Sequence, residues 1–173
     1  MASHGKTPGN DPLLAANPHW ASKGNDGQQS NYNKTDYYFN AYHSDLQQFM
    51  LDLIREALTL YPGVDGIQGD DRMPAMPRNS GYDEYTMAKY RKEHGGSEPP
   101  AEFNNEEWVR WRLDILNRFG VEMHKTVKSV NAEKLVCFSP NPYPWCQENL
   151  MQEWPQWIEA GIVDLLSVQC YRN

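Results

Sequence analysis

The feature that most constrains this chain is the regular succession of long amphipathic helices and short apolar strands from residue 44 onward. Lys134 to Ser139 (KLVCFS) is branched, aromatic and apolar with almost no alternation, the pattern of a strand covered on both faces. Ahead of it, Leu46, Phe49, Met50, Leu53, Ile54, Ala57, Leu58 and Tyr61 fall on one face at the helical period, which predicts a helix from Ser44 to about Leu60. Ser44 with Gln47 has the form of a capping box, and Pro62-Gly63 ends the helix. A short strand, Val64 to Gln68 (VDGIQ), follows. Asp83 to about His94 predicts a short helix stopped by Gly95-Gly96. The longest helix is expected from about Asn105 to Val130, capped by Asn104 with Glu107, and its stripe of Trp108, Trp111, Ile115, Phe119, Met123 and Val127 is a core face. Ser139 to Trp145 holds three prolines and is expected to be a rigid loop. Glu148 to Ala160 is helical in part, interrupted at Pro155, and Asp164 to Tyr171 (DLLSVQCY) is the last strand.

Helix and strand alternating in this order predict an α/β fold with a parallel sheet. The strands run out into polar or aromatic loops, GDDR, SPNPYPW and QCYRN. In parallel α/β architectures that C-terminal edge carries function. Upstream, Asp11 to Asp36 is rich in Asn, Gly, Ser, Gln and Pro and predicts a long loop, with Tyr37-Tyr38-Phe39 able to form a very short strand. Residues 1–12 are expected to be disordered or a cloning remnant, and 13–173 to form part of one domain, since 173 residues suit one domain and not two.

Charge narrows the partners. A formal net charge of −7 argues against binding nucleic acid by phosphate neutralisation and against adhesion to an anionic membrane. No stretch nears the roughly 20 apolar residues of a spanning helix. Cys137, Cys146 and Cys170 form no C-x-x-C pair and indicate neither a zinc ribbon nor a disulfide framework. His4, His19, His43, His94 and His124 show no local ligand spacing, so no histidine metal site and no cofactor are expected. The first ten residues hold no apolar secretory core, and localisation is left open.

Several segments together resemble the glycosyl-hydrolase-like 10 family: YYFNAYHSDLQQFMLDLIREALTLYPGVDGIQGDDRMPAMP, GYDEYTMAKYRKEHGGSEPP, VCFSPNPYPW and WPQWIEAGIVDLLSVQCYR. The resemblance runs from about Leu13 to the end, with the motifs in the family's order. It implies a TIM-barrel glycosidase-like architecture in which VDGIQ is the fourth strand, KLVCFS the fifth and DLLSVQCY the sixth. Because a whole (β/α)8 domain takes about 250 residues, the expected fold is a partial (β/α)8 barrel, strands four to six with flanking helices. Two unpaired sheet edges would then favour self-association.

D-G-I-x-x-D also resembles the D-G-F-R-x-D strand of α-amylase-like enzymes, which implies that Asp70 takes the nucleophile's place and Gln68 that of its basic companion. Parity and position place Asp70 at the catalytic face and Asp65 at the strand's other end. Asp70 and Asp71 are the candidate catalytic carboxylates; as strand neighbours they point apart, and glycoside hydrolysis needs two carboxyl groups about 5–9.5 Å apart. Glu148 and Glu153 are the other acids in reach of the sequence argument, in a stretch where a solvated helix face explains them as well. The alternative reading of Asp70-Asp71-Arg72 is a turn with a local ion pair. Gln68, Arg72, Gln169 and Tyr171 are candidate substrate contacts at strand ends, Tyr143, Trp145 and Trp20 candidate sugar-stacking faces, and His43 a candidate hydrogen-bonding group or a local cap. The resulting expectation is a glycoside hydrolase-like fragment acting on O-glycosidic bonds of a poly- or oligosaccharide. The alternatives are a non-catalytic carbohydrate-binding barrel and an inactive truncated fragment.

Overall fold

The computed structural model describes residues 2–4, 11–30 and 36–170. The elements run β1 (Ala2–His4), α1 (Pro12–Ala16), a 3-10 turn (Pro18–Trp20), β2 (Asp36–Tyr38), α2 (Ser44–Leu60), β3 (Gly66–Gly69), α3 (Glu84–Glu93), α4 (Glu106–Val130), β4 (Leu135–Phe138), α5 (Trp145–Leu150), α6 (Trp154–Glu159) and β5 (Leu165–Leu166). β3, β4 and β5 form a parallel sheet in chain order, with Gly66 opposite Leu135, Gly69 opposite Phe138 and Phe138 opposite Leu166. The expected α/β class and strand order hold.

Helices cover one face of this sheet. Ile67, Val136, Phe138 and Leu166 point into a cluster with Met50, Ile54 and Leu58 of α2, Phe119, Met123 and Val127 of α4, and Trp157 of α6. Phe138 lies 5.0 Å from the Trp157 ring. Phe138 therefore belongs to the helix-facing side and is fully buried. The other face carries the exposed Leu135 and Leu165 and, toward the strand ends, Gln68, Cys137, Ser139, Ser167 and Gln169, with Cys137 Sγ 3.7 Å from Ser167 Oγ. Gly66 is required where β3 meets β4, because a Cβ there would strike the Leu135 backbone.

Several boundaries differ from the sequence expectation. α2 begins at Ser44, but its cap is His43, whose Nδ1 accepts from the Asp45 amide at 3.2 Å. Gln47 donates instead to the Ala41 carbonyl, so no capping box forms. Asn105, not Asn104, caps α4, accepting from the Trp108 amide at 3.2 Å. Pro155 does not interrupt a helix. It sits in the first turn of α6, where its missing N–H costs nothing, and the break falls at Met151, which takes a left-handed φ of 53°. Trp145, placed by sequence in the rigid loop, opens α5. β5 is only two residues long, so most of Asp164–Tyr171 is not strand, and Tyr171 lies outside the described residues.

The N-terminal portion is more structured than its composition suggests. Ala2–His4 pairs antiparallel with Asp36–Tyr38. Asp11 caps α1 through bonds to the Leu13 and Leu14 amides. No helix among the described residues is long and apolar enough to cross a membrane.

Candidate functional site

The C-terminal ends of the three parallel strands meet at Ser139. Its amide donates to the Gly69 carbonyl at 3.0 Å, extending the β3–β4 ladder by one bond. Its hydroxyl accepts from Gln68 Nε2, and its carbonyl accepts from Gln169 Nε2 at 3.0 Å. Gln68 of β3 and Gln169, which follows β5, are thus joined through a third residue that the sequence argument did not single out. Glutamine amides fixed in this way present the remaining polar atoms of a shelf at fixed positions.

Asp70 follows β3 directly and is exposed. Its Oδ1 accepts from the Arg72 amide at 2.8 Å, an Asx turn, and Oδ2 has no hydrogen-bond partner among the described residues. Gly69 permits this turn: a Cβ there would come 2.7 Å from the Met73 carbonyl. Asp71 is half-buried with a carboxylate oxygen 3.9 Å from Arg72 Nη2. Arg72 Nε donates to the Tyr38 hydroxyl at 3.2 Å, tying the strand-end turn to β2. Both the ion pair expected of a simple turn and the exposure expected of a site carboxylate are present. Asp65 lies before β3, at the opposite end.

On the loop after β4, Tyr143 is 44% and Trp145 38% exposed. Tyr143 donates to Gln147 Oε1 at 3.1 Å and stands edge-on to Trp154 at 5.9 Å. Both rings are open to solvent. Trp20 is not: it is 7% exposed and packs with Leu14, Phe39 and Leu46, so its ring faces are taken up by protein. His43 is buried, caps α2 and stacks on Tyr85 at 3.7 Å, the local role named as its alternative. Burial pushes its imidazole below the usual histidine range.

Glu153 is the one acid of the α5–α6 region that is well buried. Arg110 grips it through both guanidinium nitrogens, at 2.9 and 2.6 Å, and Asn117 and Gln147 add bonds of 2.8 and 2.9 Å. Burial raises its pKa, but these donors outweigh burial and hold it below the usual carboxylate range. A carboxylate so held is ionised and structural, not a proton donor.

Sequence reasoning missed Arg112. It is fully buried on α4, and its fork donates to the carbonyls of Arg78 and Ser80 at 2.7 Å each and of Phe103 at 2.6 Å. It thereby fixes the loop that runs on from Asp70-Asp71-Arg72. An arginine on a charged helix gives no sequence sign of this; only the Pro- and Gly-rich loop it serves does.

A parallel sheet with helices packed on one face and polar groups at its strand ends places the chain in the α/β class. The chain belongs to the Glycosyl hydrolase-like 10 family, whose profile matches residues 4–173. Among solved structures it is similar to the PgaB (BpsB) glycoside hydrolase domain from Bordetella bronchiseptica, at 13% identity and a TM-score of 0.59, over 83% of this chain and 42% of that one. The chain thus spans less than half the length of that neighbour. No curated protein matches the sequence.

Proposed function

We propose that this chain forms the central part of a (β/α)8 barrel, with β3, β4 and β5 as the fourth, fifth and sixth strands, and that it contributes to hydrolysis of O-glycosidic bonds in a poly- or oligosaccharide. The observation that carries this reading is the position of Asp70: an exposed carboxylate just past the C-terminal end of a parallel strand, next to the Gln68–Ser139–Gln169 shelf. There an ionised carboxylate stabilises the positive charge that develops at the anomeric carbon, and does so more in the transition state than in the ground state. Tyr143 and Trp145 supply the stacking faces, and Arg72 holds the turn against Tyr38. Glu153, committed to Arg110, is not the proton donor.

The binding-only alternative is favoured by one observation: Asp70 Oδ1 is already engaged by the Arg72 amide, which an inert turn also explains. Turnover decides between them. A panel of glycans is assayed with the chain and with the longest natural polypeptide containing it, each with and without Asp70→Asn. Loss of one transition-state charge partner is worth roughly 10²–10³-fold in kcat, with substrate binding little changed. An active protein whose kcat is untouched by Asp70→Asn removes Asp70 from the chemistry. Glycan binding without turnover establishes the non-catalytic reading.

A further inference from the structure

His19 comes together with His43 and Asp45 although 24 positions separate it from His43 (43 − 19). One ligand atom from each lies within 4.8 Å of the others. His19 sits on the exposed Pro18–Trp20 turn, anchored by the buried Trp20 ring beside it. Its ring is 5.3 Å from that of His43, tilted by 56°. His43 is held from behind by the Tyr85 ring, and the Tyr85 hydroxyl donates to Ser44 Oγ at 3.0 Å. A cavity of about 330 Å3 opens beside the two imidazoles, with Asp83, Glu84 and Lys23 also on its wall. That volume accommodates an ion together with water ligands.

We propose that His19, His43 and Asp45 form a binding site for a borderline divalent transition-metal ion of the zinc type, which clips the Pro18–Trp20 turn to the start of α2. Two imidazoles and a carboxylate suit such an ion and do not suit Mg2+ or Ca2+, which prefer all-oxygen shells. Three protein ligands leave a fourth position for water from the cavity. Donor atoms around a tetrahedral zinc stand about 3.4 Å apart, from Zn–N and Zn–O distances near 2.0–2.1 Å. The closure this requires falls on His19 and Asp45, both exposed, while His43 stays stacked on Tyr85. The N-terminus of α2 disfavours a cation; the Asp45 carboxylate offsets this from within the first turn.

Binding has a definite local consequence. His43 Nδ1 accepts the Asp45 N–H, so in that state its lone pair is occupied and Nε2 carries the proton. A neutral ring binds a metal through a lone pair. An ion at Nδ1 displaces the amide, and an ion at Nε2 moves the proton to Nδ1. Either way the Asp45 amide loses its acceptor, which makes the metal clip and the helix cap alternatives.

The test uses Zn2+ as probe on the whole chain, by calorimetry and by amide NMR, with Mg2+ and Ca2+ as competitors. His19→Ala and Asp45→Asn alter exposed side chains, and circular dichroism confirms that each variant folds. One equivalent of Zn2+ is expected, undisturbed by Mg2+ or Ca2+, with a large shift at the Asp45 amide. Each substitution should weaken binding by at least the roughly 10–100-fold that loss of even an outer-shell partner costs. Zinc bound equally well by both variants, zinc bound with the Asp45 amide unmoved, or no binding at all overturns the proposal.

Discussion

Replacing Arg112 by Met should be the most damaging single change away from the strand ends. The side chain is fully buried, and no carboxylate neutralises it among the described residues. Its charge is instead solvated by four carbonyls, those of Arg78, Ser80, Phe103 and Trp108 at 2.7, 2.7, 2.6 and 3.2 Å, and by the Trp108 ring 4.7 Å away. Hydrogen bonds to a charged group contribute about 1.5–3 kcal/mol each, so the three short ones set an upper range of roughly 4.5–9 kcal/mol. Against this stands the cost of burying the cation, which lowers its pKa and which the substitution removes. Methionine also leaves three carbonyls without donors. The net loss should be about 3–5 kcal/mol, the range for breaking a buried charged network. Arg112→Lys keeps the charge but not the fork, and should lose about half as much. Urea unfolding followed by tryptophan fluorescence measures both, and an unchanged m-value certifies the comparison. A loss below about 1 kcal/mol for Arg112→Met at constant m would show that the loop after Asp70 is held by something else.

Gly66→Ala should cost at least about 3 kcal/mol, the upper end for overpacking, because the contact is with the Leu135 backbone, which cannot yield as a side chain does; a fully stable variant would contradict the β3–β4 register. Asn40→Ala should cost about 3 kcal/mol, since its amide bridges buried Asp83 and Thr86 at 2.8 and 2.9 Å and its carbonyl accepts the Tyr42 amide; thermal unfolding reads the loss, and a wild-type midpoint would count against the network. Glu153, whose folded pKa is depressed, stabilises fully above its unfolded pKa near about 4.3. That stability is lost as pH falls through the lower folded value. Glu153→Gln should therefore flatten the urea midpoint between about pH 5 and pH 3, and an unchanged acid slope would refute the assignment.

The elements with strong periodicity were legible from residues alone. The apolar face of α2, the Phe119-to-Val127 half of the α4 stripe and the unalternating β4 pack on the helix side of one sheet, while Trp111 and Ile115 join a second cluster with Tyr42, Met76 and Leu150. Caps were less legible, because Asn104 and Asn105 are the same residue type and only the backbone decides which one faces the Trp108 amide. Pro155 carries two meanings, a breaker inside a helix or a starter in its first turn, and the left-handed Met151 that selects the second has no sequence mark. In the site, Gln68 was singled out by the resemblance to the D-G-F-R-x-D strand and Gln169 by its place near the end of the expected last strand. Ser139 was not, since a serine at the head of a proline-rich loop looks like a turn residue. Arg112 and the meeting of His19 with His43 arise from tertiary packing of separate elements, which no local pattern encodes.

The sheet has a consequence for how the chain assembles. Gln68 and Ser139, which join across β3 and β4, are 71 positions apart, while Tyr90 and Glu107, which join α3 to α4, are 17 apart. Closing the longer loop costs about 1.3 kcal/mol more in chain entropy. Tyr90, edge-on to the stacked Trp108 and Trp111 rings, thus makes contacts that are cheaper to close. The Gln68–Ser139 shelf beside Asp70 rests on the longer closure, so ordering it costs more chain entropy than ordering the helix contacts does.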